Sequence, residues 1–212
     1  MNTWPVGYAH IWKGFTKLSD FEALVEVVKR NNFVVLDTET TGLDHVSEVC
    51  QLAVVDCEGK VLIDTLIKPS RQIPWDAIQI HGIKNEDVAN APSIGLIGQA
   101  LADSLRGRDL IIYNAGYDLK ILAQSFRADK AMSLWESISD HAYQSVTCAM
   151  YAYAEFYGDW NEYHQSYTWQ RLTAAIRQQG LQVDAAHSAV GDCQMTLALV
   201  RHLATVKREA TE

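Results

Sequence analysis

The spacing of apolar and polar positions predicts a helix followed by three consecutive strands. Residues 19–22 form a helix-capping box, and apolar residues behind it recur at helical spacing. The apolar run 33–37 then predicts a buried strand, and residues 49–57 predict a second. The turn 58–59 connects the second strand to a third over residues 60–67. Because a hairpin joins two of these strands, we expect the sheet to begin antiparallel.

The pattern then changes to helices that alternate with one more strand. Residues 73–88 contain proline, glycine and a short apolar patch, which predicts short helices, and residues 93–105 predict a longer one. Residues 110–114 predict a buried strand, with a helix over 116–126 behind it. Residues 146–157 fit strand and helix equally well. A strand–helix unit after an opening run of strands indicates an α/β fold with a mixed central sheet flanked by helices.

The last part of the chain predicts two further helices and no second domain. They cover residues 168–179, ended by a glycine, and residues 189–206. Residues 1–18 lack periodicity and are interpreted as an N-terminal extension. The domain itself would span 19–206, with a tail over 207–212.

Charge and cysteine content narrow the classes of function. The 212 residues carry a formal charge of −8, which argues against a protein that holds long nucleic acid through a broad basic face. No apolar run reaches the roughly 20 residues needed to span a bilayer, and no secretory signal is evident, so we expect a cytoplasmic protein without membrane contact. The four cysteines form no metal-type pair, and free thiols are expected.

Two acids, Asp37 and Glu39, stand where the first apolar run ends. Side chains at i and i+2 of an extended chain point to the same side, so the two carboxylates share one face. Their mutual repulsion is costly in a core, and a divalent cation between them removes that cost. Hard oxygen donors of this kind suit Mg²⁺ or Mn²⁺. Alternatively, both are solvated turn or cap residues.

Two later segments place further acids beside predicted helices. Asp118 follows the run 110–114 at a helix start, where it could simply interact favourably with the helix dipole. Asp192 begins the last helix, and His187 stands five residues before it. A first-turn helix acid and a solvent-facing loop histidine are the alternatives for these two.

The three sites, in this order and context, resemble the DEDDh branch of the DnaQ-like 3′-to-5′ exonucleases. That group includes polymerase proofreading subunits, exonuclease X and ribonuclease T. The resemblance covers residues 33–203 and is strengthened by residues 80–83 with 87–88, and by the run 167–172. His187, where a related branch has tyrosine, selects the DEDDh assignment. The resemblance implies a ribonuclease-H-like fold.

The resemblance also implies two divalent cations, Mg²⁺ or Mn²⁺, and a role for each acid. Asp37, Glu39 and Asp192 would hold the catalytic ion, Asp37 would also touch a second ion that Asp118 supports, and His187 would be the general base. It further implies a set of residues around the 3′-terminal nucleotide: Thr40, Thr41, Gly42, Leu43, His81 and Asn114.

Some residues depart from the family pattern or have simpler explanations. Tyr113 and Tyr117 replace a histidine and a phenylalanine with their aromatic bulk retained, whereas Ser188 replaces an arginine that is common in the family. The serine could weaken a phosphate contact. Gly42 could be a plain turn glycine, and His81 a hydrogen-bonded loop histidine.

The resemblance implies a substrate and leaves two alternatives open. The expected substrate is the 3′ end of nucleic acid, with single-stranded DNA favoured, and the products are 5′-mononucleotides. The alternatives are an exoribonuclease of the ribonuclease T kind and a catalytically silent binding module. A homodimer or a polymerase partner is possible, and the sequence indicates neither.

Aromatic residues are concentrated between positions 151 and 169. Such rings could stack on bases. Because Tyr153, Phe156 and Tyr157 recur at helical spacing, core packing and a loop cover are favoured instead.

Overall fold

A five-stranded mixed sheet is the centre of the computed structural model, which describes residues 18–182 and 188–206. Its strands are β1 (Phe33–Thr40), β2 (Val49–Asp56), β3 (Val61–Leu66), β4 (Arg108–Ile112) and β5 (Tyr143–Cys148). They lie in the order β3-β2-β1-β4-β5. Strand β2 is antiparallel to both of its neighbours, β1 and β3, whereas β4 and β5 run parallel to β1. The fold is therefore the α/β arrangement that the sequence predicts.

Helices cover both faces of this sheet. One face is covered by α1 (Asp20–Arg30), α7 (Ala149–Tyr157), α8 (Leu172–Gln178) and α9 (Ala189–Thr205). The other face is covered by α4 (Ile94–Leu105), α5 (Ala115–Ala128) and α6 (Met132–His141). Two short helices, α2 (Trp75–His81) and α3 (Asn85–Val88), pack beside β2, and β6 (Trp160–Asn161) and β7 (Ser166–Tyr167) form a separate hairpin. Within the described ranges, no helix has both the length and the apolar character that a bilayer crossing requires.

Strand β1 is buried on both faces, which explains its continuous apolar sequence. Phe33 and Val35 pack in the core under α1 and α9, whereas Val34 and Leu36 pack in the core under α4 and α5. The two-residue alternation of a strand continues beyond this apolar run. Residues 37 and 39 consequently fall on the α9 face, and residues 38 and 40 on the α5 face.

Several predicted boundaries are confirmed. The capping box of α1 is present, with the Glu22 backbone N–H donating to Ser19 Oγ at 3.2 Å and the Ser19 N–H donating to the Glu22 carboxylate at 3.0 Å. The β2–β3 hairpin turns at Gly59, at a φ of 94°. The four cysteines carry free thiols, as expected. Residues 1–17 and 207–212, which contain most of the predicted extension and the tail, lie outside the described residues.

Other boundaries differ for physical reasons. β1 continues to Thr40 because β2 pairs with it past the acids, with Glu39 opposite Gln51. The ambiguous segment 146–157 contains the end of β5 and then α7. Helix α8 begins only at Leu172. The residues before it are held by the hairpin, since Tyr167 pairs with Trp160 and the Thr168 backbone N–H donates to the Asp159 carbonyl. Helix α6 was not expected, and it is fixed by the stacking of Trp135 on Phe126, with ring centroids 5.5 Å apart.

Close packing between α4, α5 and α6 gives a prediction for Gly98. A Cβ at this position would clash with Leu134 Cδ2 and lie 3.1 Å from Phe126 Cε1. We expect Gly98→Val to lower the free energy of unfolding by about 1–3 kcal/mol, because overpacking forces neighbouring side chains from their rotamers. Urea unfolding would measure this change, with Ala100→Val, at an exposed position of the same helix, as the control. Equal midpoints for the two variants would contradict the packing argument.

Candidate active site

Three carboxylates meet at the end of β1. Ligand oxygens of Asp37, Glu39 and Asp192 all lie within 4.8 Å of one another. Asp37 and Glu39 extend from the α9 face of the strand, and Asp192 stands in the first turn of α9. This helix begins at Ser188, whose Oγ accepts the backbone N–H of Gly191 at 3.2 Å. The sequence prediction that these three acids come together is consistent with this geometry.

Asp118 lies beside this cluster on the other face of β1. It stands in the first turn of α5 and is buried, with 4% of its surface exposed. Thr38, between the two acids of the strand, donates from Oγ1 to Asp118 Oδ1 at 2.8 Å. Asp118 is close enough to Asp37 and Glu39 to act on their ionisation. The fourth acid is therefore adjacent to the group of three, with its orientation fixed by a neighbouring hydroxyl.

Burial and mutual repulsion change how these acids ionise. Burial, and then the charges of Asp118, Asp192 and Glu39, raise the pKa of Asp37 well above its usual range. Burial, followed by the charge of Asp192, raises the pKa of Glu39 to about 7. Burial also raises the pKa of Asp118 to about 7, against the effect of the Thr38 hydrogen bond. The site consequently retains protons near neutral pH that a bound cation would displace. Because all its donors are carboxylate oxygens, it fits a hard divalent ion.

The loop that follows β1 is held against α5 by hydroxyl groups. The hydroxyls of Thr40 and Tyr117 lie 2.6 Å apart, and the Tyr117 hydroxyl donates to the Gly42 carbonyl at 2.8 Å. Gly42 has a φ of 152°, and a Cβ there would approach Ser47 Oγ to 3.0 Å. The tyrosine that replaces the family's phenylalanine thus fixes the turn beside the carboxylates.

Other residues predicted around the 3′-terminal nucleotide differ in exposure. Thr41 is buried, and its Oγ1 accepts the Glu48 backbone N–H at 3.0 Å. Leu43 is 80% exposed next to it. Asn114 is exposed at the N-cap of α5 and makes no side-chain cap hydrogen bond. An apolar side chain of the loop and an amide side chain at the start of α5 are therefore both exposed.

His81 contacts the protein through its ring. Its Nδ1 accepts the Ile83 backbone N–H at 3.0 Å, and its Nε2 lies 3.8 Å from Cys50 Sγ. Burial lowers the pKa of His81, while a hydrogen bond with the Thr40 backbone opposes that effect. The ring thereby ties the last residue of α2 to the end of β1, so His81 is hydrogen-bonded, as the alternative proposed, but lies at a helix end and not in a loop. His187, the expected general base, lies outside the described residues.

Sequence reasoning missed two side chains that support the acids. Thr38 holds Asp118, and the alternation of the strand could have indicated it, because a residue between two acids must face the opposite helix. Gln51, opposite Glu39, accepts the Ala189 backbone N–H at 3.3 Å and so ties the start of α9 to the sheet. No sequence pattern indicates this second contact, since it depends on the β1–β2 register.

Comparison with known proteins places this geometry in a family. The RNase_T family model, described as exonuclease, matches residues 34–200. An uncharacterised exonuclease, CP81, of Escherichia phage 186 is 34% identical over 172 residues, which are 81% of this chain and 87% of that protein. DNA polymerase III subunit epsilon of Pasteurella multocida is 33% identical over 104 residues, covering 44% of this chain and 41% of the subunit.

A solved structure supports the fold assignment. E. coli exonuclease I in complex with a dA16 oligonucleotide aligns with a TM-score of 0.65 at 19% identity, over 84% of this chain and 41% of that one. The chain thus spans less than half of the epsilon subunit and of exonuclease I, but most of the phage protein. On the family match and the order of its motifs, the chain belongs to the RNase_T exonuclease family, as a hydrolytic nuclease of the DnaQ-like DEDDh 3′-to-5′ type.

Proposed function

We propose that this chain removes 5′-mononucleotides from the 3′ end of nucleic acid in a reaction that depends on two divalent cations. The observation that carries the proposal is the meeting of Asp37, Glu39 and Asp192 within 4.8 Å, with Asp118 held beside them. Four acids in one place are costly unless cations neutralise them. The exonuclease family implies divalent-metal use, and the all-oxygen donor set suits Mg²⁺ or Mn²⁺.

Each acid has a distinct position toward the ions. Asp37, Glu39 and Asp192 would hold one ion, and Asp37 with Asp118 would hold the second, directly or through water. When bound, such ions activate water and stabilise the charge that develops on the phosphate and on the leaving 3′-oxygen. Thr38 keeps the Asp118 carboxylate oriented toward β1.

The remaining residues would handle the proton and the terminal nucleotide. His187 would accept the proton of the attacking water, because a neutral imidazole is available near pH 7. The loop Thr40–Leu43 and the Asn114 side chain would contact the terminal nucleotide, while His81 would hold the start of this loop through its hydrogen bond with the Thr40 backbone. The hydrogen bonds of Tyr117 keep the loop close to the carboxylates.

Single-stranded DNA is the proposed substrate. DNA is favoured because the P. multocida relative is a subunit of a DNA polymerase, and the structurally similar exonuclease I was solved with a dA16 oligonucleotide. An RNA 3′ end is the second candidate, since the discriminating contact would be with the 2′-hydroxyl. The proposal requires neither a second copy of the chain nor a polymerase partner.

A digestion assay tests the reaction and the substrate together. Single-stranded DNA and RNA of matched sequence, labelled at the 5′ end, would be incubated with Mg²⁺, Mn²⁺ or EDTA. We expect a ladder that shortens from the 3′ end, most strongly with DNA, and that disappears in EDTA or in Asp37→Ala. Cleavage in EDTA would refute metal dependence, and faster cleavage of RNA would reverse the assignment of the substrate.

The raised pKa of Glu39 predicts how stability depends on pH without metal. Between its ordinary value of 4.5 and about 7, the folded chain keeps a proton that the unfolded chain has lost. The stabilisation from this proton is present below the unfolded pKa and is lost as the pH rises through the folded one. In EDTA near pH 8, Glu39→Gln should therefore melt about 2–4 °C above the wild type for each kcal/mol of repulsion removed.

This difference should shrink as the pH falls below 7 and vanish near pH 4, where Glu39 is protonated in both the folded and the unfolded chain. It should reverse in Mg²⁺, which stabilises only a chain that binds it. Thermal unfolding at both pH values, with and without Mg²⁺, would measure it. Glu58→Gln removes the same charge from an exposed turn and is the matched control. A Glu39→Gln variant that is less stable than the wild type in EDTA near pH 8 would contradict the account of repulsion.

The role of His187 predicts a loss of rate without a loss of fold. We expect His187→Ala to reduce kcat by about 10²–10⁴, as removal of a general base does, while Mg²⁺ binding measured by calorimetry changes little. His141→Ala, at an exposed position of α6, is the control for removal of a histidine. Turnover of His187→Ala within a few-fold of the wild type would exclude the proton transfer.

A further inference from the structure

An ordered hairpin presents aromatic rings to solvent close to the active site. This aromatic hairpin comprises residues 159–169 and includes β6 and β7. Its exposed rings are Trp160 (44% exposed), Tyr163 (89%), Tyr167 (37%) and Trp169 (57%). The sequence argument for core packing therefore holds for Tyr153 of α7, which is fully buried, but not for Tyr157 at the end of that helix or for this hairpin.

Hydrogen bonds and ring contacts fix the rings in place. Trp160 pairs with Tyr167 across the hairpin, and their ring centroids lie 5.1 Å apart in an edge-to-face contact. The Thr168 backbone N–H donates to the Asp159 carbonyl at 2.7 Å, which extends the ladder by a residue. Trp169 follows the last paired residues of the hairpin and is also exposed. The rings of Trp160 and Tyr167, as cross-strand partners, consequently share one face of the hairpin.

The hairpin is attached at the edge of the sheet where the carboxylates lie. The Tyr113 hydroxyl donates to the Gln170 carbonyl, directly after the hairpin, at 2.8 Å. Tyr113 stands two residues beyond Ile111, and Asp37 stands two residues beyond Val35, which pairs with Ile111. Both side chains therefore leave parallel strands at the same edge and on the same face. The tyrosine that replaces the family's histidine thus anchors the hairpin beside the catalytic acids.

The charge of the chain identifies the chemistry that this surface suits. With a formal charge of −8, the chain gains little affinity for a phosphate backbone away from its bound cations. The hairpin itself contains two acids and no lysine or arginine, so it does not neutralise phosphates. Flat exposed rings bind nucleobases by stacking, which needs no positive charge and tolerates any base.

We infer that the aromatic hairpin is a stacking platform for unpaired bases of the substrate strand, upstream of the nucleotide being removed. This inference rests on the proposed exonuclease function and adds a subsite to it. Unpaired bases are required because a base inside a duplex exposes no face for stacking. The platform therefore predicts a preference for single-stranded 3′ ends and an affinity that increases with strand length.

The length dependence of KM tests the inference. A dinucleotide and a single-stranded DNA of about twelve residues would be compared as substrates of the wild type, Trp160→Ala and Tyr163→Ala. For the longer strand, we expect each variant to raise KM by about tenfold per stacking ring lost, with kcat nearly unchanged. For the dinucleotide, both parameters should stay at their wild-type values. Tyr163 is included because its ring packs against His164 in the turn and the residue is not part of the β6–β7 pairing, so its removal leaves that pairing intact.

Matched controls separate stacking from structural damage. Trp160→Phe keeps a ring and should restore most of the affinity, whereas Leu96→Ala removes an exposed apolar side chain from α4, under the other face of the sheet, and should change nothing. Longer strands with upstream abasic positions should bind the wild type as weakly as the variants bind the intact strand. The variants should lose little more on the abasic strand.

Three outcomes would overturn the inference, and none depends on the proposed function being wrong. The first is an unchanged KM for the longer strand in both alanine variants, which would assign the rings to a protein partner instead. The second is an equal loss on the dinucleotide, which would place the effect at the carboxylates. The third is a loss of affinity on the abasic strand that adds in full to the loss caused by removing a ring, because two changes to one contact should not add. Absence of cleavage by the wild type would instead refute the proposed function itself.

Discussion

The repulsion between carboxylates that share the end of one buried strand is the constraint on which this structure depends. Asp37 and Glu39 are covalently fixed at the end of β1, and two helices bring Asp118 and Asp192 to the same place. Both helices present their N-terminal turns, whose partial positive charge favours an acid. This favourable contribution is small compared with the cost of burying four carboxylates. The pKa values of Asp37, Glu39 and Asp118 are consequently raised, because much of the unfavourable energy of their charged forms is not offset. The fold thus maintains a site whose most favourable occupant is a cation.

The side chains on the two faces of β1 have different roles, because successive residues of a strand point to opposite sides. The acids at positions 37 and 39 face α9, whereas Thr38 and Thr40 face α5. Each threonine hydroxyl forms a hydrogen bond there with a residue of the second motif, which is the segment 113–118 that contains Asp118. A single strand therefore carries both the candidate metal ligands and the groups that orient the neighbouring helix. A shift of β1 by one residue would move every side chain to the other face. It would therefore displace the acids from α9 and the threonine hydroxyls from α5 at the same time.

Much of the fold could be predicted from the sequence because its strongest signals are local. The Ser19–Glu22 capping box and the Gly59 turn were assigned correctly, since each depends on neighbouring residues. The sequence does not predict helix α6. Its packing depends on the contact of Trp135 with Phe126, which belongs to another helix, so the local spacing of apolar residues does not reveal it. The four acids could be identified by their motifs. The support from Gln51 could not, because it requires the pairing of β1 with β2 and the approach of α9.

The two tyrosines of the second motif show how a departure from a family pattern can carry structure. Tyr117 and Tyr113 keep the aromatic bulk expected at their positions, and each adds a hydroxyl that reaches a backbone carbonyl: that of Gly42 and that of Gln170. One hydroxyl fixes the turn after β1, and the other fixes the segment that follows the aromatic hairpin. A hydrogen bond of this kind contributes only about 0.5–1.5 kcal/mol to stability. Its larger effect is positional, because an acidic chain that acts on an acidic polymer must derive its affinity from a few well-placed contacts.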